Sequence, residues 1–314
     1  MKSTQLHKPL ISIAMCTYNG REFLEEQLDS IVSQTLAEWE IIIVDDCSSD
    51  ETRTILNAYA ERDVRFKVYS NDQNLGYNKN FEKALQLCQG TFIAICDQDD
   101  IWRKDKLEVQ FNAIGDNQLI YHDSEFINQS GAPLDYRMSD KFNFYRGSDP
   151  EVFLYFNCVS GHSIMLKSVV VKAALPFPED FHYDQWLAYN ATLLGSIDFV
   201  NQPLVRYRQH QNNKTDVLAL RSVSKSADRK IVELRKESEW LLLCSEKATG
   251  KSKYLITKLY NLSLLRNKSF ASVAYGMVIW ANKDTLLRLL KKSTISKFFF
   301  TLRKIWGSQA KKLI

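Results

Sequence analysis

Three carboxylates, Asp97, Asp99 and Asp100, fall within four residues directly after the apolar run 91–96. Such a run predicts a buried strand, and acids at its end lie at the carboxyl edge of a sheet, where open α/β sheets bind ligands. Carboxylates this close repel one another, and Mg²⁺ or Mn²⁺ with the phosphates of a nucleotide would relieve that repulsion. An acidic helix cap is the alternative interpretation, because Asp is favoured at helix N-termini.

A second acidic pair, Asp45 and Asp46, follows the apolar run 41–44. If the two apolar runs form strands of one parallel sheet, both acidic clusters emerge at the same edge and line one crevice. Residues 48–50 can cap the following helix, but capping does not explain a pair that precedes the cap. The two clusters together therefore favour a ligand site.

The elements that must position these acids alternate between strand and helix. Strands are predicted by four apolar runs, at 11–15, 41–44, 66–69 and 91–96. Apolar residues at helical spacing lie between them, so we expect an α/β fold with a mostly parallel sheet flanked by helices. The turn 17–20 lacks the G-x-G-x-x-G pattern, which argues against a nicotinamide dinucleotide enzyme.

The second half of the chain divides into two parts by pattern. Short strands are predicted at 119–121, 163–166 and 197–200, separated by long polar loops of the kind that carry function. Beyond residue 215 the pattern changes to long helices. We therefore expect a catalytic domain at 1–216 and a basic, helical C-terminal region at 217–314.

The net charge of +4 conceals an asymmetry. Residues 1–220 carry 20 Lys and Arg against 31 acids, whereas residues 221–314 carry 21 against 6. A basic end indicates an anionic partner, and no nucleic-acid-binding motif accompanies it. The segment 291–306 combines Lys and Arg with Phe, Leu and Trp as in amphipathic helices at anionic membrane surfaces. Helices that pack on the catalytic domain with basic outer faces are the alternative.

Compartment signals are consistent with one another. The six cysteines lack CxxC spacing and four lie in or beside apolar patterns, which favours reduced core residues over a zinc site. The polar stretch 1–10 lacks the apolar run of a secretion signal. We expect a cytoplasmic protein.

Four stretches together resemble glycosyltransferase family 2 with the GT-A fold. They are 11–19 (ISIAMCTYN), 43–50 (IVDDCSSD), 74–80 (NLGYNKN) and 97–102 (DQDDIW). They follow the family's order and spacing within about residues 10–215, with Cys16 and Cys47 at positions where the family often has Pro and Gly. The resemblance implies a Rossmann-like mixed sheet flanked by helices, with an α-helical extension after it.

The resemblance also implies roles for individual residues. Nucleotide-sugar-binding residues would be Thr17, Tyr18, Asn19, Asp45, Asp46, Asn74 and Asp97. Asp99 and His210 would hold the Mg²⁺ or Mn²⁺ that bridges the diphosphate. Asp184 would be the catalytic base, needed because a sugar hydroxyl is a poor nucleophile at neutral pH; the alternative is a simple helix cap, with Asp180 or His182 as the base. Acceptor-loop residues would be Gly161, His162 and Trp186.

The motif context most resembles the bacterial rhamnosyltransferase-like branch. That branch implies dTDP-L-rhamnose as donor and a lipid-linked saccharide acceptor in O-antigen or capsule synthesis, while related branches use UDP-hexoses. We expect an inverting, metal-dependent enzyme, peripheral on the inner face of the membrane. Two other classes stay open: a non-catalytic nucleotide-sugar-binding scaffold, and a nucleotidylyltransferase, whose basic glycine-rich loop matches 17–21 poorly.

Overall fold

The computed structural model describes residues 9–211, 213 and 226–312. The chain forms two compact units. The first comprises Met1–Ser139 and Val159–Gln209, and the second comprises Asp140–Cys158 and His210–Ile314. This division differs from the single boundary expected after residue 216, because the first unit ends at Gln209 and the second includes 140–158.

The first unit begins with the predicted alternation of strands and helices. The elements are β1 (Ile11–Thr17), α1 (Leu24–Val32), β2 (Trp39–Asp45), α2 (Thr52–Arg62), β3 (Phe66–Ser70), α3 (Tyr77–Leu87) and β4 (Phe92–Cys96). The strands pair in parallel in the order β3-β2-β1-β4, which confirms the expected parallel unit. Strand β2 is buried at every residue, so both of its faces are covered and its sequence is a nearly continuous apolar run.

Five more strands complete the sheet of the first unit. They are β5 (Ile101–Trp102), β6 (Leu119–Ile127), β7 (Pro133–Arg137), β8 (Met165–Lys167) and β9 (Ile197–Arg208). The helices among them are α4 (Lys106–Ile114), α5 (Met138–Lys141), α6 (Ser168–Ala174) and α7 (Tyr183–Leu194). The strand order is β3-β2-β1-β4-β8-β6-β9-β5, with β7 on β6. Because β8 is antiparallel to both β4 and β6, the sheet is mixed, as the resemblance implies.

The second unit is helical. Its helices are α8 (Ala227–Lys247), α9 (Gly250–Lys268), α10 (Val273–Ala281), α11 (Lys283–Leu286), α12 (Thr294–Ile305) and α13 (Ser308–Lys311). The fully buried Arg266 forms an ion pair with Glu237 at 2.6 Å, and Lys304 pairs with the same carboxylate. Within 9–211 and 226–312, no helix has both the length and the apolar character needed to cross a bilayer.

The segment 140–158 belongs to this helical unit through its aromatic side chains. Tyr155 Oη lies 2.9 Å from Tyr275 Oη, and the ring of Phe156 packs on Phe300 with centroids 5.0 Å apart. The predicted boundary after residue 216 places segment 140–158 in the catalytic domain. The structure instead packs its aromatic side chains against the helices of the second unit.

Candidate active site

The carboxyl ends of β1, β2 and β4 lie side by side. Thr17, the last residue of β1, is in register with Asp45, the last residue of β2, and β4 runs beside β1 up to Cys96. Asp46 and Asp97, the residues that follow β2 and β4, therefore emerge at one edge of the sheet. The prediction that the two acidic clusters share an edge is confirmed.

Asp45 is fully buried, and both of its carboxylate oxygens are hydrogen-bonded within the protein. Oδ1 accepts from Thr17 Oγ1 at 3.0 Å and from Ser48 Oγ at 2.5 Å. Oδ2 accepts from Ser48 N at 3.0 Å and from Arg53 Nε at 2.9 Å. Two predicted nucleotide-binding residues, Thr17 and Asp45, thus bond to each other and tie β1 to β2.

Asp46 is buried as well and organises the loop before α3. Its Oδ1 accepts from Asn71 Nδ2 and from the Leu75 N–H, each at 2.8 Å, and its Oδ2 accepts from the Gly76 N–H at 2.9 Å. Asn74 donates from Nδ2 to the Asp46 carbonyl at 3.1 Å. The predicted residues Asp46 and Asn74 therefore shape this loop from both sides.

The turn after β1 is held by Gln98, which the sequence analysis did not single out. Gln98 Oε1 accepts from the Tyr18 N–H at 2.8 Å, and its Nε2 donates to the Tyr18 carbonyl at 3.2 Å. A Cβ on Gly20 would lie 2.4 Å from Gln98 Oε1, so a larger residue there would displace the Gln98 side chain. Asn19 accepts from the Ser49 N–H at 2.8 Å. The ring of Tyr18 is left exposed at the edge, where it is available to a planar ligand.

Asp97, Asp100 and His162 bring three metal-ligating atoms within 4.8 Å of one another. His162 Nδ1 lies 3.8 Å from Asp97 Oδ2 and 4.0 Å from Asp100 Oδ2. Residue 162 is contributed by a short 3-10 helix just before β8, and β8 pairs with β4. The antiparallel strand β8 thus carries a histidine to the acidic cluster after β4.

His162 is held as a neutral ring. Burial and the ammonium of Lys106 lower the pKa of His162 to about 3. The ring stacks on Tyr207 with centroids 4.3 Å apart, and Nε2 lies 2.7 Å from Ser124 Oγ. With its proton on Nε2 the ring donates to Ser124 and presents the Nδ1 lone pair to the carboxylates, which is the usual orientation of a metal-binding histidine.

Asp100 has one oxygen satisfied and one not. Oδ1 accepts from the Arg208 N–H at 3.0 Å, whereas the buried Oδ2 has no hydrogen-bond partner among the described residues. Burial, together with the charges of Asp99 and Asp97, raises the pKa of Asp100 well above its usual range. Arg208 also donates from Nε to the Asp99 carbonyl at 2.9 Å, so it holds the acidic loop in place.

These three residues fit a divalent cation. An unsatisfied buried carboxylate oxygen is costly, and a cation would supply its missing partner. The two carboxylates suit Mg²⁺ or Mn²⁺, and the imidazole nitrogen is better matched to Mn²⁺, because Mg²⁺ and Ca²⁺ take oxygen ligands. Burial and the charges of Asp99 and Asp184 raise the pKa of Asp97 to about 7, a repulsion that a bound cation would relieve.

The cluster differs from the predicted pair of ligands. Asp100 was not among the predicted ligands and His162 was expected in the acceptor loop, yet both contribute to the cluster. Asp99 is half-buried and lies close enough for its charge to act on Asp97. His210 belongs to the second unit, where its N–H donates to Asn213 Oδ1 at 2.6 Å. The roles of Asp99 and His210 as metal ligands stay predictions.

Asp184 lies in the first turn of α7. Its Oδ1 accepts from the Gln185 N–H at 2.6 Å, and the Gly161 N–H is a further donor to the carboxylate. Burial nevertheless raises the pKa of Asp184 above its usual value. Its charge acts on Asp97, which places the predicted base beside the acidic cluster. A carboxylate with a raised pKa suits proton abstraction near neutral pH.

Gly161 and Trp186, predicted for the acceptor loop, both contact other parts of the protein, and their role toward an acceptor stays a prediction. The near neighbour of Gly161 is Tyr183: a Cβ on Gly161 would lie 2.1 Å from the Tyr183 hydroxyl oxygen. Trp186 is buried, and its indole Nε1 donates to the Ala174 carbonyl at 2.7 Å. Trp186 is therefore a core residue of α7, because its apolar ring fills the interior while its polar atom is satisfied there.

The sequence does not reveal that Tyr77 and His182, two aromatic side chains near Asp184, contact each other. Tyr77 Oη lies 3.1 Å from His182 Nδ1, and both side chains are exposed. Burial and the charge of Asp184 raise the pKa of Tyr77, while burial raises the pKa of Asp184 and the nearby His182 partly offsets that rise. Residues 105 positions apart give no sequence signal of such a contact.

Comparison with known proteins identifies the family. The family model described as glycosyl transferase family 2 matches residues 12–172, just over half of the chain. The chain belongs to glycosyl transferase family 2. This family 2 member is 39% identical over 130 residues to TuaG of Bacillus subtilis strain 168, named for teichuronic acid biosynthesis, across 41% of the chain and 52% of TuaG. The chain thus spans about half the length of that relative.

A second relative and a solved structure extend the comparison. The family 2 chain is 30% identical over 183 residues, 57% of its length and 69% of the relative's, to Escherichia coli WfgD, a UDP-Glc:alpha-D-GlcNAc-diphosphoundecaprenol beta-1,3-glucosyltransferase. The crystal structure of S. aureus TarS 1–349 with UDP-GlcNAc matches with a TM-score of 0.59 at 19% identity, across 94% of this chain and 81% of that one. This likeness confirms the GT-A fold.

Proposed function

We propose that the protein is an inverting glycosyltransferase that moves a sugar from a nucleotide-diphospho-sugar to a lipid-linked saccharide in the synthesis of bacterial cell-surface polysaccharide. One observation carries the proposal: the Asp97–Asp100–His162 cluster lies beside Asp184 at the carboxyl edge of the parallel strands. Membership of glycosyl transferase family 2 supports the reaction class. The names of TuaG and WfgD support a cell-surface product and a diphosphate-linked lipid acceptor.

The donor side would be assembled from three groups of residues. The exposed ring of Tyr18 would stack on the nucleotide base, with the turn 17–19 and the loop that Asp46 organises shaping its pocket. Asp97, Asp100 and His162 would hold a divalent cation, with Asp99 and His210 as further predicted ligands. The bound cation would supply Lewis-acid stabilisation of the negative charge on the leaving diphosphate.

The acceptor side would use Asp184 as general base. The acceptor hydroxyl would give its proton to an Asp184 oxygen while its own oxygen bonds to the anomeric carbon. The bond from that carbon to the diphosphate would break in the same displacement, with inversion. The raised pKa of Asp184 supports this role because it makes the carboxylate a stronger base.

For the donor, dTDP-L-rhamnose is the candidate that the sequence motifs favour. UDP-hexoses are the second candidate, favoured by the UDP-Glc in the name of WfgD and the UDP-GlcNAc in the TarS complex. Both candidates are pyrimidine nucleotides. The lipid-linked acceptor further favours a peripheral position on the inner face of the membrane, with the basic second unit as the part that meets anionic lipid.

The proposal is tested by nucleotide release from the purified full chain. We expect release from dTDP-L-rhamnose or a UDP-hexose with Mn²⁺ or Mg²⁺, and loss of release in chelator. Asp184→Asn should abolish transfer to an acceptor, while the surface control Asp116→Asn should leave it unchanged. Full transfer by folded Asp184→Asn would refute the assigned base, and no release from any dTDP-, UDP- or GDP-sugar would favour the non-catalytic scaffold.

A further inference from the structure

Helix α12 exposes its apolar face. Ile295, Phe298, Phe299 and Leu302 follow one another at spacings of three, one and three residues, so they share one side of the helix. All four are exposed, Ile295 by 70% and Phe299 by 55%, whereas the buried residue of the helix is the polar Thr301. A helix that packs into a globular core buries its apolar stripe. Here the stripe faces solvent.

Helix α10 extends this exposed face. Its Trp280 ring meets Phe298 edge to face with centroids 5.4 Å apart, and a Cβ on Gly276 would lie 2.4 Å from Ile305 Cγ2. The two helices therefore lie in direct contact. Val273 and Met277 of α10 are nonetheless more than 60% exposed. We define the apolar surface as these two residues together with Ile295, Phe298, Phe299 and Leu302.

A groove between α9 and α10 continues the apolar surface. It has a volume of about 910 Å³, and Met277 belongs to both the groove and the surface. Tyr254, Leu255, Val278 and Ala281 supply further apolar lining. The α9 side also carries two lysines, Lys251 and Lys258. They are seven residues, or two turns, apart and therefore lie on the same face of the helix. Hydrocarbon and positive charge thus adjoin along one side of the second unit.

The charge around the apolar surface is almost entirely positive. Residues 250–312 contain fourteen Lys and Arg and a single acid, Asp284. Lys291, Lys292 and Arg303, which flank or belong to α12, are exposed. Apolar side chains bordered by Lys and Arg are the composition of helices that lie in the interface of anionic bilayers.

We propose that the apolar surface docks on an anionic lipid bilayer, with Ile295, Phe299 and Met277 among the acyl chains and the surrounding lysines at the headgroups. A second copy of the chain is a poorer occupant, because a two-fold interface would set the same positive rim against itself. Nucleic acid is poorer still, because its interfaces are polar rather than built on exposed Phe and Ile. The inference rests on the proposed function only in that a lipid-linked acceptor resides in such a bilayer.

Vesicle co-sedimentation of the full chain tests the proposal. We expect binding to phosphatidylcholine vesicles that contain phosphatidylglycerol, weaker binding to phosphatidylcholine alone, and loss of binding as salt is raised. Ile295→Ser, Phe299→Ser and Met277→Ser combined should weaken binding about tenfold or more, because three apolar side chains leave the hydrocarbon. The matched control replaces the exposed Val64, Val169 and Leu194 of the first unit by Ser, and should bind as the wild type does.

A second, charge-reversal variant tests the same surface independently, in case the serine variant misfolds. Lys291→Glu, Lys292→Glu and Arg303→Glu combined should abolish the preference for phosphatidylglycerol, while the exposed first-unit set Arg62→Glu, Lys104→Glu and Lys172→Glu should keep it. Equal binding to both vesicle types, or surface variants that bind like their controls, would overturn the proposal. So would a dimer in sedimentation velocity that the serine variant dissolves while vesicle binding is unchanged.

The readout separates this inference from the proposed function. Vesicle binding needs no donor and no metal, so it can succeed with a protein that releases no nucleotide from any sugar donor. That result would overturn the glycosyltransferase proposal and leave the docking surface standing. Nucleotide release that depends on Asp184, with no vesicle binding under any condition, would support the glycosyltransferase proposal and overturn the docking surface.

Discussion

The acidic residues after β2 and those after β4 occupy the same edge of the sheet but differ in how their oxygens are satisfied. Asp45 and Asp46 together accept hydrogen bonds from four side chains and from the turn and loop backbone, and each of their oxygens has a donor. Within residues 9–211 and 226–312, the buried Oδ2 of Asp100 has no hydrogen-bond partner, and burial with the charges of Asp99 and Asp184 raises the pKa of Asp97 to about 7.

This difference in hydrogen bonding indicates that one acidic cluster stabilises the fold and the other binds a ligand, although both lie at the same edge of the sheet. A buried carboxylate whose bonds are complete stabilises the chain that surrounds it. One that is buried, crowded by like charges and incompletely bonded destabilises the free protein and is relieved by a bound cation. Asp45 and Asp46 after β2 thus stabilise the loops that form the pocket, whereas Asp97 and Asp100 after β4 are suited to bind a cation there.

The largest effect is expected from the isosteric change Asp100→Asn. It keeps the acceptor for the Arg208 N–H but removes a charge from the cluster. Transfer activity with Mn²⁺ should fall about a thousandfold, equivalent to about 4 kcal/mol of lost transition-state stabilisation. The urea midpoint in chelator should stay or rise, because a like charge is removed. Activity near the wild-type level would remove Asp100 from the metal site.

The matched change after β2, Asp46→Asn, should have its main effect on stability. The new amide group would face the N–H donors of Leu75 or Gly76 and leave a buried donor unsatisfied. We expect a loss of about 3 kcal/mol in the free energy of unfolding, measured with urea. A stable Asp46→Asn protein that has lost only donor affinity would show that Asp46 belongs with the β4 acids instead.

A buried acid in the second unit, Glu237, extends the comparison to a carboxylate with full ion pairing. Burial alone would raise its pKa, but Lys304 and Arg266 lower it to about 2 from the usual 4.5. A carboxylate whose pKa is lowered on folding stabilises the folded state at pH values above its unfolded-state pKa. This stabilisation is lost as the pH falls through its folded-state pKa. Glu237→Gln should therefore cost about 2 kcal/mol at neutral pH.

The pH dependence of the Glu237→Gln effect is the check. The difference in unfolding free energy from wild type should be constant above pH 4.5 and shrink as the pH approaches 2. A difference that does not depend on pH would mean that the carboxylate charge contributes nothing to stability.

The smallest effect is expected from Thr17→Val, which removes one of the donors to Asp45. Three other hydrogen bonds to that carboxylate remain, so the cost should be about 1 kcal/mol in urea unfolding. The KM for the donor should change little. A large rise in KM with unchanged stability would show that Thr17 contacts the nucleotide, as the resemblance implies, rather than serving Asp45.

The sequence was sufficient to predict what depends on local pattern. Apolar runs and helical spacing gave the parallel unit β1 to β4 and hence the shared edge of the two acidic clusters. It could not separate the clusters, because Asp46 and Asp100 follow equally apolar strands. What separates them is the set of donors around each, and those come from residues 71–76 in one case and from β9 in the other.

Long-range contacts explain the remaining differences. His162 reaches Asp97 and Asp100 only because β8 inserts antiparallel beside β4, and no local pattern encodes that insertion. Gly161 lies against the Tyr183 hydroxyl, a contact between residues 22 positions apart that no local pattern encodes. The segment 140–158 lies within the predicted catalytic domain, yet its aromatic side chains contact the C-terminal helices.

Titration of the purified protein with Mn²⁺, followed by calorimetry or by the electron paramagnetic resonance of the free ion, shows which acidic residues bind the cation. We expect one site in the wild-type protein, its loss in Asp100→Asn, and its retention in folded Asp46→Asn. Unchanged Mn²⁺ binding by Asp100→Asn, or loss of the site in Asp46→Asn alone, would contradict the division of labour between the two clusters.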